Sequence, residues 1–237
     1  MLSAIAIIPS APVMVPELAA NAADELADLR RAVFAAAGSL PPRWIAVGVG
    51  PADAVLGPYA AGTFAGYGVD RRVALSPGPA DTLTELPLCA LIAGWVRGQA
   101  KPDARAEVRV YAAEHDVDAA LAHGRRLRAE IDEAVDPIGV LVVADGAHTL
   151  TPPAPGGYEP DSIPAQAALD DALAAGDAAA LTRLPDTIVG RVAYQVLAGL
   201  TGYPGSSSRP GPAPRSAKEL YRGAPYGVGY FTGVWQP

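Results

Sequence analysis

The chain has one cysteine, Cys89, and only three histidines: His115, His123 and His148. A single cysteine excludes an intramolecular disulfide framework and any metal cluster built from several thiolates. Three histidines leave little material for a histidine-rich metal site. Basic residues are also scarce, with 18 Lys and Arg against 25 Asp and Glu in 237 residues, a formal charge of −7 and a pI of about 4.9. Lacking a Lys/Arg cluster, the chain has no electrostatic footprint for nucleic acid or an anionic membrane surface. The longest apolar stretch, around Leu86–Val96, is about half the ~20 residues that a membrane-spanning helix needs. No Lys or Arg precedes the apolar start MLSAIAIIPSAPVMV, so the charged region of a secretory signal is missing and a cytoplasmic protein is expected.

Apolar residues are plentiful. Half of the chain is hydrophobic and 18% is charged, which excludes a disordered polymer. Three β-branched runs, Ala4–Ile8, Trp44–Val49 and Ile138–Val143, are apolar without alternation and end at Pro, Gly or Asp, as strands buried on both faces do. A fourth run, Glu107–Tyr111, alternates and reads as a strand nearer the sheet edge. Helical periodicity lies between them. Leu18, Ala22, Leu26, Leu29 and Val33 form one stripe, with Pro16 in the first turn. A second helix is predicted over Glu85–Arg97. A third is capped by Asp116 and turns Val117, Leu121, Leu127, Ile131 and Val135 inward. Further helices are predicted over Ile163–Ala175 and Asp186–Leu200, and a closing strand over Tyr226–Trp235. The alternation predicts an α/β fold with a mainly parallel central sheet flanked by helices. One domain spans 1–237, the last strand returns to the main sheet, and the Gly/Pro/Ser-rich stretch 201–216 reads as a flexible loop.

GVGPAD at Gly48–Asp53 follows a strand as a dinucleotide-binding turn would, but Asp53 stands where a third small residue is needed and Pro51 removes a backbone donor. It reads as a strand-to-loop turn. VVADGAHTLTPPAPGGYEP, at Val142–Pro160, carries more: a buried strand delivers Asp145 and His148 to its carboxyl end, where open α/β sheets place ligands. An imidazole there can exchange protons near neutral pH, with a carboxylate to orient it; loop capping is the competing role for both residues. His115 and His123 flank and enter a charged helix and read as solvated surface residues, and Cys89 reads as a core thiol.

Two segments, IIPSAPVMVPEL and VVADGAHTLTPPAPGGYEPD, resemble the LigB-like class III extradiol ring-cleavage dioxygenases, a superfamily that includes Memo-like proteins. Pro9, Pro12, Val15, Pro16 and Glu17 match the family's first-strand pattern, and Asp145, His148, Gly157, Tyr158 and Pro160 match its Gly-Asp-x-Ser-His strand end and loop. LPLCAL (Leu86–Leu91) and VGRVAYQVL (Val189–Leu197) look like two further family segments in the right order. Active members hold Fe(II), or another divalent ion, with two histidines and a glutamate or similar ligand. Those positions correspond here to Ser10, the Gly50–Pro51 turn and Val189, and a further family histidine falls near Thr82. Of the family's set, His148 alone remains.

The resemblance therefore implies a family fold without the Fe(II) site: no cofactor, and a non-catalytic protein that binds a small molecule or serves as an interaction module. Ser10, Asp145 and His148 are the candidate pocket residues, with Tyr158 and Glu159 on the loop closing one side. Two enzymatic readings stand beside it: an active ring-cleavage dioxygenase or other metal-dependent oxidoreductase using Fe(II), and a metal-independent hydrolase using Ser10 and His148. Family members often form dimers, so a homodimer is compatible with the resemblance.

Overall fold

In the computed structural model, which describes residues 1–19, 24–78, 82–202 and 214–237, a seven-stranded sheet runs through the middle of the molecule. Its centre is built from four strands: β1 (Leu2–Ile8), β2 (Arg43–Gly50), β6 (Arg105–Ala112) and β7 (Ile138–Val143). They lie in the order β6-β2-β7-β1, all parallel. Antiparallel strands flank them, with β3 (Ala54–Leu56) beside β6, and β9 (Tyr230–Gln236) then β8 (Ser216–Gly223) beside β1. The closing strand thus returns to the main sheet, and the Glu107–Tyr111 run is the outermost of the parallel set. β4 (Ala61–Thr63) and β5 (Arg72–Ala74) form a separate small hairpin sheet.

Alternate residues of the parallel strands serve two cores, because successive side chains of a strand point to opposite faces. On one face Ala4, Ala6 and Ile8 pack with α2 (Ala27–Gly38) and α3 (Leu88–Ala100), the latter carrying the buried Cys89. On the other, Ile5, Ile7, Val140 and Val142 meet α4 (Val117–Asp132), α5 (Ser162–Ala175) and α7 (Arg191–Leu200). Two short helices, α1 (Pro16–Ala19) and α6 (Ala178–Leu181), complete the described α-helices. Glycine lets α4 and α7 touch backbone to backbone: a Cβ at Gly124 would lie 2.1 Å from Val196 O, and one at Gly199 2.3 Å from Leu121 O. Helices on both faces of a largely parallel sheet satisfy the fold expected from the strand–helix alternation.

Several element boundaries differ. Among the described residues the stripe predicted over Leu18–Val33 falls in two helices, α1 and α2, with Leu26 at the start of the second, and its Ala22 lies outside the described residues. α3 begins at Leu88 rather than Glu85, since Pro87 holds its own φ and forces residue 86 out of the helical region. Val135 lies beyond the end of α4 and is 97% exposed, so it does not join the core as predicted. α7 starts only at Arg191, and β9 only at Tyr230. Most of the 201–216 stretch, residues 203–213, falls outside the described residues. No helix is long and apolar enough to cross a membrane among the described residues.

Candidate functional site

Because the four central strands are parallel, the segments after β1, β2, β6 and β7 emerge along one edge of the sheet. Ser10, Asp53, His115 and the Asp145–His148 loop all lie there. That carboxyl edge is where open α/β sheets bind ligands.

At the β1–β7 end of the edge is a cavity of about 320 Å³. Asp145, His148, Val189, Pro155, Tyr226 and Tyr230 line it, with the Ala11–Val13 turn closing one wall. The Ser10 backbone N–H donates to Asp145 Oδ1 at 2.8 Å, joining the ends of β1 and β7. Desolvation nonetheless pushes the Asp145 carboxyl up to about 7; the Ser10 N–H opposes this only in part. The segment carrying Val189 is stitched to the same loop. Val189 N–H donates to Gly146 O at 3.1 Å, Gly190 N–H to Asp145 O at 2.9 Å, and Ala147 bridges to Ile188. Deeper, the buried Tyr194 hydroxyl donates to Ala144 O at 2.9 Å.

His148 is solvent-exposed, and its carbonyl accepts from Gly156 N–H at 3.0 Å. Its ring lies against Gly156 so closely that a Cβ there would come 2.5 Å from Cδ2 and 2.6 Å from Nε2. The Pro/Gly-rich loop that follows is irregular but tied down, by Glu159 N–H to Thr149 O at 3.0 Å and by a buried Thr149–Ser162 hydroxyl pair at 2.6 Å. Of the five residues proposed from sequence, Asp145 and His148 both line the cavity. Ser10, Tyr158 and Glu159 are not among the residues lining it: Ser10 contributes its backbone N–H, and Tyr158 and Glu159 point out from the loop, exposed.

The positions at which the resemblance places metal donors do not fit Fe(II). Ser10 offers a neutral hydroxyl and Val189 an isopropyl group. Gly50 and Pro51 line a different cavity, of about 770 Å³, with Thr63, Tyr67, Leu86 and Leu91. Fe(II) sites of the facial-triad type need imidazole and carboxylate donors converging on one point.

A second constellation, missed in the sequence, occupies the β2–β6 end of the edge. His115 and His123 do not sit on a solvated face as expected: their side chains are 22% and 18% exposed, and both turn toward Asp53. Asp53 Oδ1 accepts from Ala112 N–H at 2.8 Å and lies 2.8 Å from His115 Nε2, while Oδ2 is 3.9 Å from His123 Nε2. Burial pushes the Asp53 carboxyl up, but the Ala112 N–H and the two histidines outweigh it and hold it below the usual range. Burial and the nearby Arg126 lower His123. The cause is strand register. Gly50 pairs with Ala112, so three residues further on Asp53 meets His115, and Asp116, capping Ala119 N–H at 2.8 Å, starts the helix that brings His123 back over them.

No family model matches the chain, and no curated protein matches it. Among solved structures, it is similar to an uncharacterized protein, JW3007, from Escherichia coli K12. The superposition has a TM-score of 0.58 at 12% identity and covers 99% of this chain and 100% of that one. At that identity the likeness shows a shared α/β fold over the full length.

Proposed function

We propose that this is a cytoplasmic LigB-like protein whose family metal position has been replaced, and that the His148–Asp145 cavity binds a small, mostly apolar molecule bearing a hydroxyl, such as a phenol or catechol. One observation carries the reading: Val189, at the position of the family's third ligand, shares the cavity with Asp145 and His148. An apolar wall with a few convergent polar groups is the usual make-up of a small-molecule site. Here Val13, Val189 and Val228 supply the wall, and the carboxyl and imidazole supply the polar end. Calorimetry with catechol and phenol in EDTA tests it: saturable binding is expected, lost in His148→Ala. Absence of binding to the wild type, or binding that appears only with added Fe(II) together with ring-opened product, would count against it.

A second reading, metal-independent proton transfer, is favoured by the Asp145 carboxyl, which desolvation raises to about 7 in a cavity that His148 also lines. Hydrolysis initiated by Ser10 draws no such support, since Ser10 is not among the residues lining the cavity.

A further inference from the structure

At the opposite end of the carboxyl edge, away from the Ser10 and Val189 positions and three residues beyond Gly50, the geometry points to a metal site: Asp53, His115 and His123 bind one divalent transition-metal ion of the zinc type, with a coordination position left open. Their donor atoms all lie within 4.8 Å of one another. A tetrahedral ion with bonds of about 2.0–2.1 Å needs donors about 3.3 Å apart. Asp53 Oδ1 stands 2.8 Å from His115 Nε2 and Oδ2 3.9 Å from His123 Nε2, one carboxylate oxygen toward each imidazole. Side-chain rotation that brings one Asp53 oxygen and the two imidazole nitrogens to that spacing sets the three donors around one centre. Two imidazoles and a carboxylate suit zinc and its first-row neighbours rather than calcium or magnesium, which take oxygen ligands.

The supports around the donors are already in place. Ala112 N–H orients the carboxylate, and the Tyr111 and His115 rings each pack on His123 with centroids 4.7 Å apart. Arg191 reaches across from the start of α7 and donates to His115 O at 3.3 Å and Ala113 O at 3.4 Å, holding the β6–α4 turn. Three protein ligands leave a fourth position for water or an exogenous ligand, the pattern of reactive rather than purely structural zinc sites. Asp53 and His123 line a cavity of about 400 Å³, with Tyr111, Arg109 and Glu130 beyond them, that gives access to that position.

One contact competes. Exposed Arg126 donates to His123 Nδ1 at 2.8 Å, which leaves the Nε2 proton in place. Coordination through Nε2 moves that proton to Nδ1 and displaces Arg126 from it. Arg126→Ala is therefore expected to bind the ion more tightly than the wild type.

The test is Zn(II) titration of the full chain by calorimetry at pH 7.5, with Co(II) as the spectroscopic substitute. The expected result is one Zn(II) per chain, weakened by more than about tenfold, the scale at which even outer-shell changes act, in each of Asp53→Ala, His115→Ala and His123→Ala. With only three histidines in the chain, proton NMR of the unmodified protein supplies a readout that needs no variant to fold. Co(II) should shift the ring signals of His115 and His123 and leave His148 in place. Failure to bind a stoichiometric ion, undiminished binding in the histidine variants, or a Co(II) effect on His148 first would overturn the assignment.

Discussion

Replacing Asp145 by Asn should make the protein more stable at pH 8 and leave it unchanged at pH 4. Desolvation raises this carboxyl from 3.8 to about 7 in the folded chain. Between those values the native state keeps a proton that the unfolded state releases, so stability falls as pH rises through the window and is flat above it. At about 1.4 kcal/mol per pH unit, the full effect is about 4 kcal/mol. Asparagine removes the titration while its amide oxygen still accepts the Ser10 N–H. Asp170, pushed up to about 6 by burial, adds a slope of the same sign, but it is present in both proteins and cancels in their difference. Urea unfolding followed by circular dichroism, at intervals from pH 4 to 8, reads the difference directly. A gap that opens with rising pH toward about 4 kcal/mol in favour of the variant is expected. A variant less stable than wild type at pH 8, or a gap independent of pH, would refute the claim that Asp145 is held against its desolvation cost.

Gly146→Ala places a Cβ 2.0 Å from Gln166 Oε1, which accepts from Ala147 N–H at 2.8 Å; a loss of about 1–3 kcal/mol in the same unfolding assay is expected. Gly156→Ala places a Cβ 2.5 Å from the His148 ring and 2.8 Å from the His148 carbonyl oxygen, so catechol binding by calorimetry should weaken and the melting temperature should fall by about 2–8 °C. Cys89, buried with its thiol pushed up to about 12 by desolvation, should not react with a disulfide reagent at pH 8 until the protein is unfolded in urea.

The parallel strands were legible because burial on both faces demands uninterrupted apolar runs, and Ala4–Ile8, Trp44–Val49 and Ile138–Val143 supply them. β8 was not, because SAKELYRG is polar and has no buried residue, the composition that protects a sheet edge from further pairing. β3, β4 and β5 are three residues each, too short for alternation to show. The Asp145–His148 pair could be found from the strand that precedes it. The Asp53–His115–His123 cluster could not, because it depends on β2 and β6 being neighbours with Gly50 opposite Ala112, and nothing local in GVGPAD or AAEHD encodes that pairing. Two histidines bracketing the first turns of one helix were the only signal available. Tyr158 and Glu159 belonged to a motif that marks the loop correctly, but the loop's hydrogen bonds to Thr149 turn those side chains outward.

The most direct test of the account is the His148 ring signal itself, followed by NMR during a catechol titration in EDTA. A saturable shift of His148 without metal is expected, abolished by Val189→Trp, which fills the cavity, with no corresponding shift of His115 or His123. A His148 signal that stays still until Fe(II) is added would contradict it.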